Sequence, residues 1–207
     1  SHPMLQKILN VALCLVALSA CDRASAGSGD PVTGEVPSAG IVDSTFSPEE
    51  QLRRFRVGID GAPEGLSGGP DSRETLVRRF ADALETHDTT AFREIVLSRA
   101  EFAYLYYPDS RHTRPPLRQD PGLVWMLLQQ NSEKGIVRAL RRYGGEPLGY
   151  RSHRCDPEPE REGENTVWTG CVITATFGGS DTTSFQLFGS IVERDGHFKF
   201  VSYANKL

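Results

Sequence analysis

The sequence contains no C-x-x-C pair and no His/Cys group at metal-ligand spacing, which removes a structural zinc and a thioredoxin-like redox site from consideration. With 4 cysteines in 207 residues it also falls short of a disulfide-stapled mini-protein. Lysine is scarce, 4 against 19 arginines, and the two together do not offset 27 acids, so the net charge is −4. A chain of that sign lacks the basic excess that holds a nucleic-acid backbone, and no nucleic-acid partner is expected. Also missing is an apolar run of the roughly 20 residues needed to cross a bilayer as a helix. What is present, 38% hydrophobic and 24% charged, is too apolar for disorder throughout and long enough for one domain with a real core.

Ser1-His2-Pro3 stand before the first methionine, Met4, as an added remnant or a mis-set start, and are set aside from the fold. Lys7 then supplies a basic start, followed by an apolar run from Ile8 to Leu18 interrupted by Asn10. Its length, about eleven residues, suits a signal-peptide core over residues 1–20 and not a membrane span. The run closes on Leu18-Ser19-Ala20-Cys21. All four positions resemble the lipobox of bacterial lipoproteins: a branched apolar residue, two small residues that fit a peptidase cleft, then cysteine. The resemblance implies that the Cys21 thiol is acylated (palmitate being one such chain) and the leader cut away ahead of it. The mature protein is then lipid-anchored in the bacterial cell envelope, facing the periplasm or the exterior. A thiolate is a strong side-chain nucleophile for accepting an acyl group, and stable retention takes more than one chain. Asp22 resembles the inner-membrane retention signal of some enteric bacteria, a rule that differs between lineages. Loss of residues 1–20, whose one charged side chain is Lys7, takes the net charge from −4 to −5.

Residues 22–45 are rich in Ala, Ser, Gly and Pro, with the acids Asp30, Glu35 and Asp43 and no base after Arg23. Such a stretch has too little apolar surface to offset the entropy of ordering, so 21–46 reads as a flexible tether. The remainder, 47–207, reads as a single domain. It opens at Ser47-Pro48-Glu49-Glu50, a serine N-cap with proline at the first helical position, for a short helix burying Leu52 and Phe55. After a glycine-rich stretch, Asp71 or Ser72 starts a helix whose core stripe is Leu76, Val77, Phe80, Ala83, Leu84 and His87. Asp88 caps the next, with Phe92, Ile95 and Val96 inside. Ser98-Arg99-Ala100-Glu101 is a capping box opening the aromatic run 102–107, which reads as helix, although alternation at Phe102, Tyr104 and Tyr106 also suits a strand. Asp120-Pro121 caps a long apolar helix, with a break expected near Asn131 or Gly135 and a stop at Gly144-Gly145.

Beyond Gly145 the apolar period changes from about 3.6 to 2. Four strand-like runs follow: Leu148–Cys155, Thr166–Phe177, Ser184–Glu193 and Phe198–Tyr203, the last two joined at the hairpin dipeptide Asp195-Gly196. Short connections make an antiparallel meander. Helices followed by sheet make the fold class α+β, with N-terminal helices packed on a curved antiparallel sheet of about four strands. Over residues 72–207 this order of elements resembles the nuclear-transport-factor-2-like superfamily (SnoaL-like, cystatin-like). The resemblance implies a cone of helices and bent sheet around a pocket, a frame that serves binders, isomerases and hydrolases alike and so names no activity.

With Cys14 in the leader and Cys21 under lipid, Cys155 and Cys171 remain, on adjacent predicted strands in an oxidising compartment. They are expected to form a disulfide worth about 3 kcal/mol by loop entropy. Between them, Asp156 to Glu164 alternates acids with Pro, Arg and Gly, which suits a solvated hairpin tip and does not match a calcium loop. No metal and no cofactor are expected. Gly65-Leu66-Ser67-Gly68-Gly69 spells G-x-S-x-G, but no core strand precedes it and Pro70 follows, so nothing aims the serine at a base.

Among the histidines of the domain, His87, His112 and His197 fall at a helix end, in a loop and beside a hairpin turn, while His153 lies on a strand where it can face a pocket. The pocket wall is expected from Tyr104, Tyr107 and Trp125 together with His153, because Tyr and Trp combine an apolar body with one polar handle. The strand faces hold few ionisable groups. That weighs against acid–base chemistry and toward a non-enzymatic module binding a small apolar ligand or an envelope protein. The alternative is a SnoaL-like enzyme using His153 and a tyrosine as acid–base groups. Arg111, Arg114 and Arg118 make a basic loop suited to solvent, an anionic lipid or a partner. Cys21→Ser is expected to leave the chain unacylated, read by intact mass and detergent partition; an acyl mass retained by that variant would refute the lipobox.

Overall fold

Helices form where an N-cap oxygen stands ahead of an apolar stripe. The computed structural model describes residues 46–177 and 182–207, so the leader, Cys21 and the tether up to residue 45 lie outside the described residues. Helix α1, Pro48–Phe55, is capped by the Ser47 hydroxyl, which accepts from the Glu50 amide at 3.3 Å. Helix α2, Arg73–Glu85, is capped by Ser72, and α3, Thr89–Glu94, by Asp88. Between them His87 adopts φ +56° and is exposed, so it closes the α2–α3 turn instead of continuing the core stripe.

The capping box at Ser98 is complete, and the short α4, Arg99–Glu101, runs on into a π-helical turn over Phe102–Tyr106. Phe102, Ala103, Leu105 and Tyr106 are all buried, a helical and not an alternating pattern. Pro108 cannot donate to a continuing helix, and the chain tightens into a 3-10 turn at Tyr107–Asp109. Helix α5 spans Pro121–Tyr143 without the expected break. Gly135 is a point of close approach instead: a Cβ there would lie 1.7 Å from the Tyr203 carbonyl oxygen.

The expected single sheet of about four strands is two antiparallel sheets. Strands β1 (Tyr150–Arg154), β4 (Val172–Ala175) and β5 (Thr183–Phe185) pair in the order β1-β4-β5. Strands β2 (Glu160–Glu162), β3 (Asn165–Trp168), β6 (Ile191–Arg194) and β7 (His197–Phe200) pair in the order β2-β3-β6-β7. The run 166–177 divides at Gly170, whose φ of +60° turns the chain from one sheet to the other, and Asp156 packs where a Cβ would stand. The run 184–193 divides likewise around Leu187 and Phe188, both buried, adjacent residues that an alternating strand would send to opposite faces. The acidic segment is more than a hairpin tip: β2 pairs with β3, and Glu162 is buried, accepting from the Arg111 amide at 2.8 Å.

The four-stranded sheet has apolar side chains on both faces. Trp168, Ile191 and Phe200 join a core centred on Phe80, whose ring lies 5.3–5.6 Å from those of Phe92, Phe188, Phe200 and Tyr203. Val167, Val192 and Val201 join a second core built on Phe102. Lys199 pairs in register with Val192 and is 3% exposed, so its ammonium needs a partner within the protein. Glu101, 1% exposed, supplies it: Nζ lies 2.9 and 3.0 Å from the two carboxylate oxygens. The same carboxylate accepts the Ser67 and Ser98 amides at 2.7 Å each, so it is fully engaged. Chain 95–97 lies along β7 through Leu97 N–H to Phe200 O and Phe200 N–H to Ile95 O, which covers that edge. Lys199→Met strands a buried carboxylate and is expected to cost about 3–5 kcal/mol of unfolding free energy, read as a lower urea midpoint. The double variant with Glu101→Gln is expected to lose less than the two single losses added together.

Candidate functional site

The four side chains expected to line one pocket are not brought together. Tyr104, Tyr107 and Trp125 belong to the second core, where the Trp125 ring lies 5.1 Å and the Tyr107 ring 5.5 Å from that of Phe102. The Tyr107 hydroxyl donates to the Gln119 carbonyl, and the Arg56 guanidinium stacks 4.3 Å from the Tyr104 ring centre. These aromatics cover the second apolar face of the four-stranded sheet. His153 stands apart, on the edge strand β1.

There it meets two residues that the sequence reading did not single out. The Tyr150 hydroxyl donates to Glu74 Oε2 at 2.9 Å, and His153 Nδ1 lies 3.1 Å from both that oxygen and the Tyr150 hydroxyl. Glu74 comes from the first turn of α2, held there also by Arg78 one turn on, at 2.8 Å. Tyr150 and His153 come from one strand, in which a register irregularity between Tyr150 and Ser152 breaks the regular alternation. The sequence signal for Glu74 was its i,i+4 spacing to Arg78, which is common on any exposed helix face.

Electrostatics separates the three groups. Burial pushes the His153 imidazole below its ordinary value, only partly opposed by Glu74. Partial burial favours the neutral form of Glu74, but the hydrogen bond from Tyr150 and the charge of Arg78 outweigh it and hold the carboxyl below its usual range. Burial and the Glu74 carboxylate together push the Tyr150 phenol well up, so it remains a donor. With Tyr150 donating to Glu74, His153 completes the cluster by donating from Nδ1, which leaves Nε2 as its lone-pair nitrogen.

A second feature is a cleft of about 340 Å³ between α3 and α5. Its floor is Phe92, Val96, Ile136 and Tyr203, and Arg93 and Glu133 stand among the polar residues at its rim. Phe92 and Ile95 are buried in the core as expected and Val96 is half-buried against it; Phe92 and Val96 also border the cleft.

Elsewhere, Cys155 and Cys171 form the expected disulfide, linking β1 to the turn before β4. Ser67 lies exposed in a loop, its amide bound to Glu101, and His197 Nδ1 meets the Gly69 carbonyl at 3.1 Å. His112 Nδ1 is held by Gln119 at 2.7 Å. Among the described residues no three His, Cys, Asp or Glu side chains gather as metal ligands, and no described helix is long and apolar enough to cross a membrane. No family model, curated protein or solved structure matches the chain.

The lowered His153 value sets the sign of a pH effect. The unfolded chain takes up this proton near pH 6.5 while the folded chain does so only at lower pH, so stability is complete above that value and falls as acid is added. Glu74, also lowered, adds a loss in the same direction in more acid solution. Thermal melts at about pH 7.5 and 5.5 are expected to show a smaller drop for His153→Asn than for the natural chain. Equal drops would take His153 out of the account.

Proposed function

We propose that the chain is a lipid-anchored protein of the bacterial cell envelope whose domain is a non-enzymatic binding module. The anchor rests on Leu18-Ser19-Ala20-Cys21, with the tether over 21–46 setting the domain off from the membrane. The order of helices before sheet supports a distant nuclear-transport-factor-2-like frame. The observation that carries the binding reading is the α3–α5 cleft. Its volume, about 340 Å³, lies at the lower end of small-molecule sites, and its floor is apolar with a few polar groups at the rim. A small apolar ligand, or an apolar side chain of an envelope protein, fits that lining. The core of the domain, by contrast, is occupied by the rings around Phe80.

A second reading is favoured by one observation. Glu74, Tyr150 and His153 present a carboxylate, a phenol and an imidazole within hydrogen-bonding distance, the groups a SnoaL-like acid–base enzyme would use. His153 and Tyr150 each border this cluster and not the α3–α5 cleft. The two readings therefore separate by mutation. Val137→Trp, at an exposed position on the cleft wall, is expected to weaken uptake of the apolar dye 1-anilinonaphthalene-8-sulfonate several-fold without lowering the melting temperature, and to remove any small mass that copurifies in native mass spectrometry. Unchanged uptake would turn the reading away from the cleft, and a turnover lost in His153→Asn but kept in Val137→Trp would establish the enzyme.

A further inference from the structure

Five of the seven large apolar side chains exposed among the described residues sit around the N-terminal half of α5: Phe46, Leu117, Leu123, Met126 and Leu127, each 41–46% exposed. Leu117 lies three residues ahead of the Asp120 cap. Phe46 is brought to the same end by a crevice of about 200 Å³ that it lines with Phe55, Asp120 and Gly122. At 100° per residue, Leu123, Met126, Leu127, Gln130, Lys134 and Arg141 fall within about 60° of one line along the helix. All six are exposed. This outward strip is apolar at its start, basic further on, and free of acid. Glu133 falls to the side, at the rim of the cleft.

The loop just ahead of it carries Arg111, Arg114 and Arg118, of the same sign as Lys134 and Arg141. Arg114 and Arg118 precede α5 in the loop and make no ion pair among the described residues; the Arg114 guanidinium donates to the Asp109 carbonyl. Arg111 reaches Glu160 at no closer than 4.0 Å. Asp120, which caps the helix at the start of the strip, spends Oδ1 on the Leu123 amide. A chain of net charge −4 thus gathers cations and exposed apolar side chains at one end. That is also the end where residues 1–45 join the domain, at Phe46.

We infer that this face lies on the membrane: the outward strip of α5, with Leu117 and Phe46, rests in the interface of an anionic bilayer, and Arg114, Arg118, Lys134 and Arg141 meet its headgroups. Exposed apolar side chains rimmed by Lys and Arg, with no acid between, are the composition of an interfacial helix, and each cation near an anionic surface adds about 1 kcal/mol. A solvated face would carry acids as the rest of this chain does, and the strip has none. The tether, some 25 residues from Cys21 to Phe46, is long enough to let the domain drift far from the surface, so the face adds what the tether does not: a fixed orientation. The α3–α5 cleft, on the flank of the same helix, is then held beside the bilayer and open along it. The inference rests on the anchored reading for its location, while the affinity of the face for anionic lipid is separate from acylation.

The test uses the full chain with an environment-sensitive nitrobenzoxadiazole label on Met126→Cys, with the exposed, acid-flanked Glu158→Cys as control and the unsubstituted chain as blank. The protein is reconstituted in vesicles of phosphatidylethanolamine with phosphatidylglycerol, or of phosphatidylcholine alone. The expected result is a blue-shifted emission at position 126 on the anionic vesicles only, lost in 0.5 M salt, with no shift at position 158. Arg114→Glu with Arg118→Glu is expected to reduce the shifted fraction about tenfold or more. Emission at position 126 that stays as in water on both vesicles overturns the inference, and so does a shift that appears only when envelope proteins or a second copy are added. Intact mass at Cys21, read on the same samples, reports the anchor separately: an unacylated chain that still shifts on anionic lipid keeps the face and loses the anchor.

Discussion

The buried ion pair of Lys199 on β7 with Glu101 at the end of α4 ties the four-stranded sheet to the chain that covers its second face. β7 sends Phe198 and Phe200 toward the Phe80 core and Lys199 toward the opposite face, beside Val192. An unpaired ammonium there would cost several kcal/mol in desolvation. Glu101 makes the position tolerable, and in doing so ties three otherwise unrelated segments to one carboxylate: the glycine-rich loop through Ser67, the start of α4 through Ser98, and the sheet through Lys199. The capping box therefore serves twice, once for its own helix and once as the clamp that seats the second core. Small hydrophobic substitutes at either position would have to replace all of these contacts at once.

A sheet buried on both faces has a consequence for function. The aromatic run 102–107 and Trp125 are consumed in covering the second face, so a cluster with the composition of a binding pocket is core. The features left open to solvent are on the flank of α5 and at the edge strand β1. At the edge, the histidine is kept neutral by burial beside a carboxylate kept charged by its donors, an arrangement that costs stability in acid. On the flank, a six-residue α3 lies beside α5, and the cleft between them reaches the edge of the Phe80 core at Phe92 and Tyr203.

On the proposed reading these outward features share one orientation. The N-terminal half of α5 faces lipid, its flank offers the cleft, and the two lie on neighbouring sides of a single 23-residue helix. Gly135 lets that helix come down onto the Tyr203 backbone, and the Ser132 hydroxyl accepts the Tyr203 amide at 3.1 Å. The helix is thus joined at two points to the segment that follows β7, which ties the cleft wall to the sheet.

Local rules read from the sequence determined the helix starts, because each depends on a serine or aspartate oxygen within reach of an amide two or three residues on: Ser47, Ser72, Asp88, Ser98 and Asp120 all cap as their spacing requires. The α+β order and the Cys155–Cys171 disulfide were legible for the same reason, as periodicity and as the pairing of the two cysteines left in the domain. What only the tertiary structure decided was which apolar side chains met each other. An alternating run shows that a strand has two faces and not which sheet it joins, so the breaks at Gly170 and around Leu187 and Phe188 were invisible. Glu74 and Tyr150 lie 76 residues apart, and nothing local in either marks the other as its partner. Burial of Lys199 depends likewise on a residue 98 positions away, because the desolvation that makes their pairing necessary exists only once both cores have closed over them.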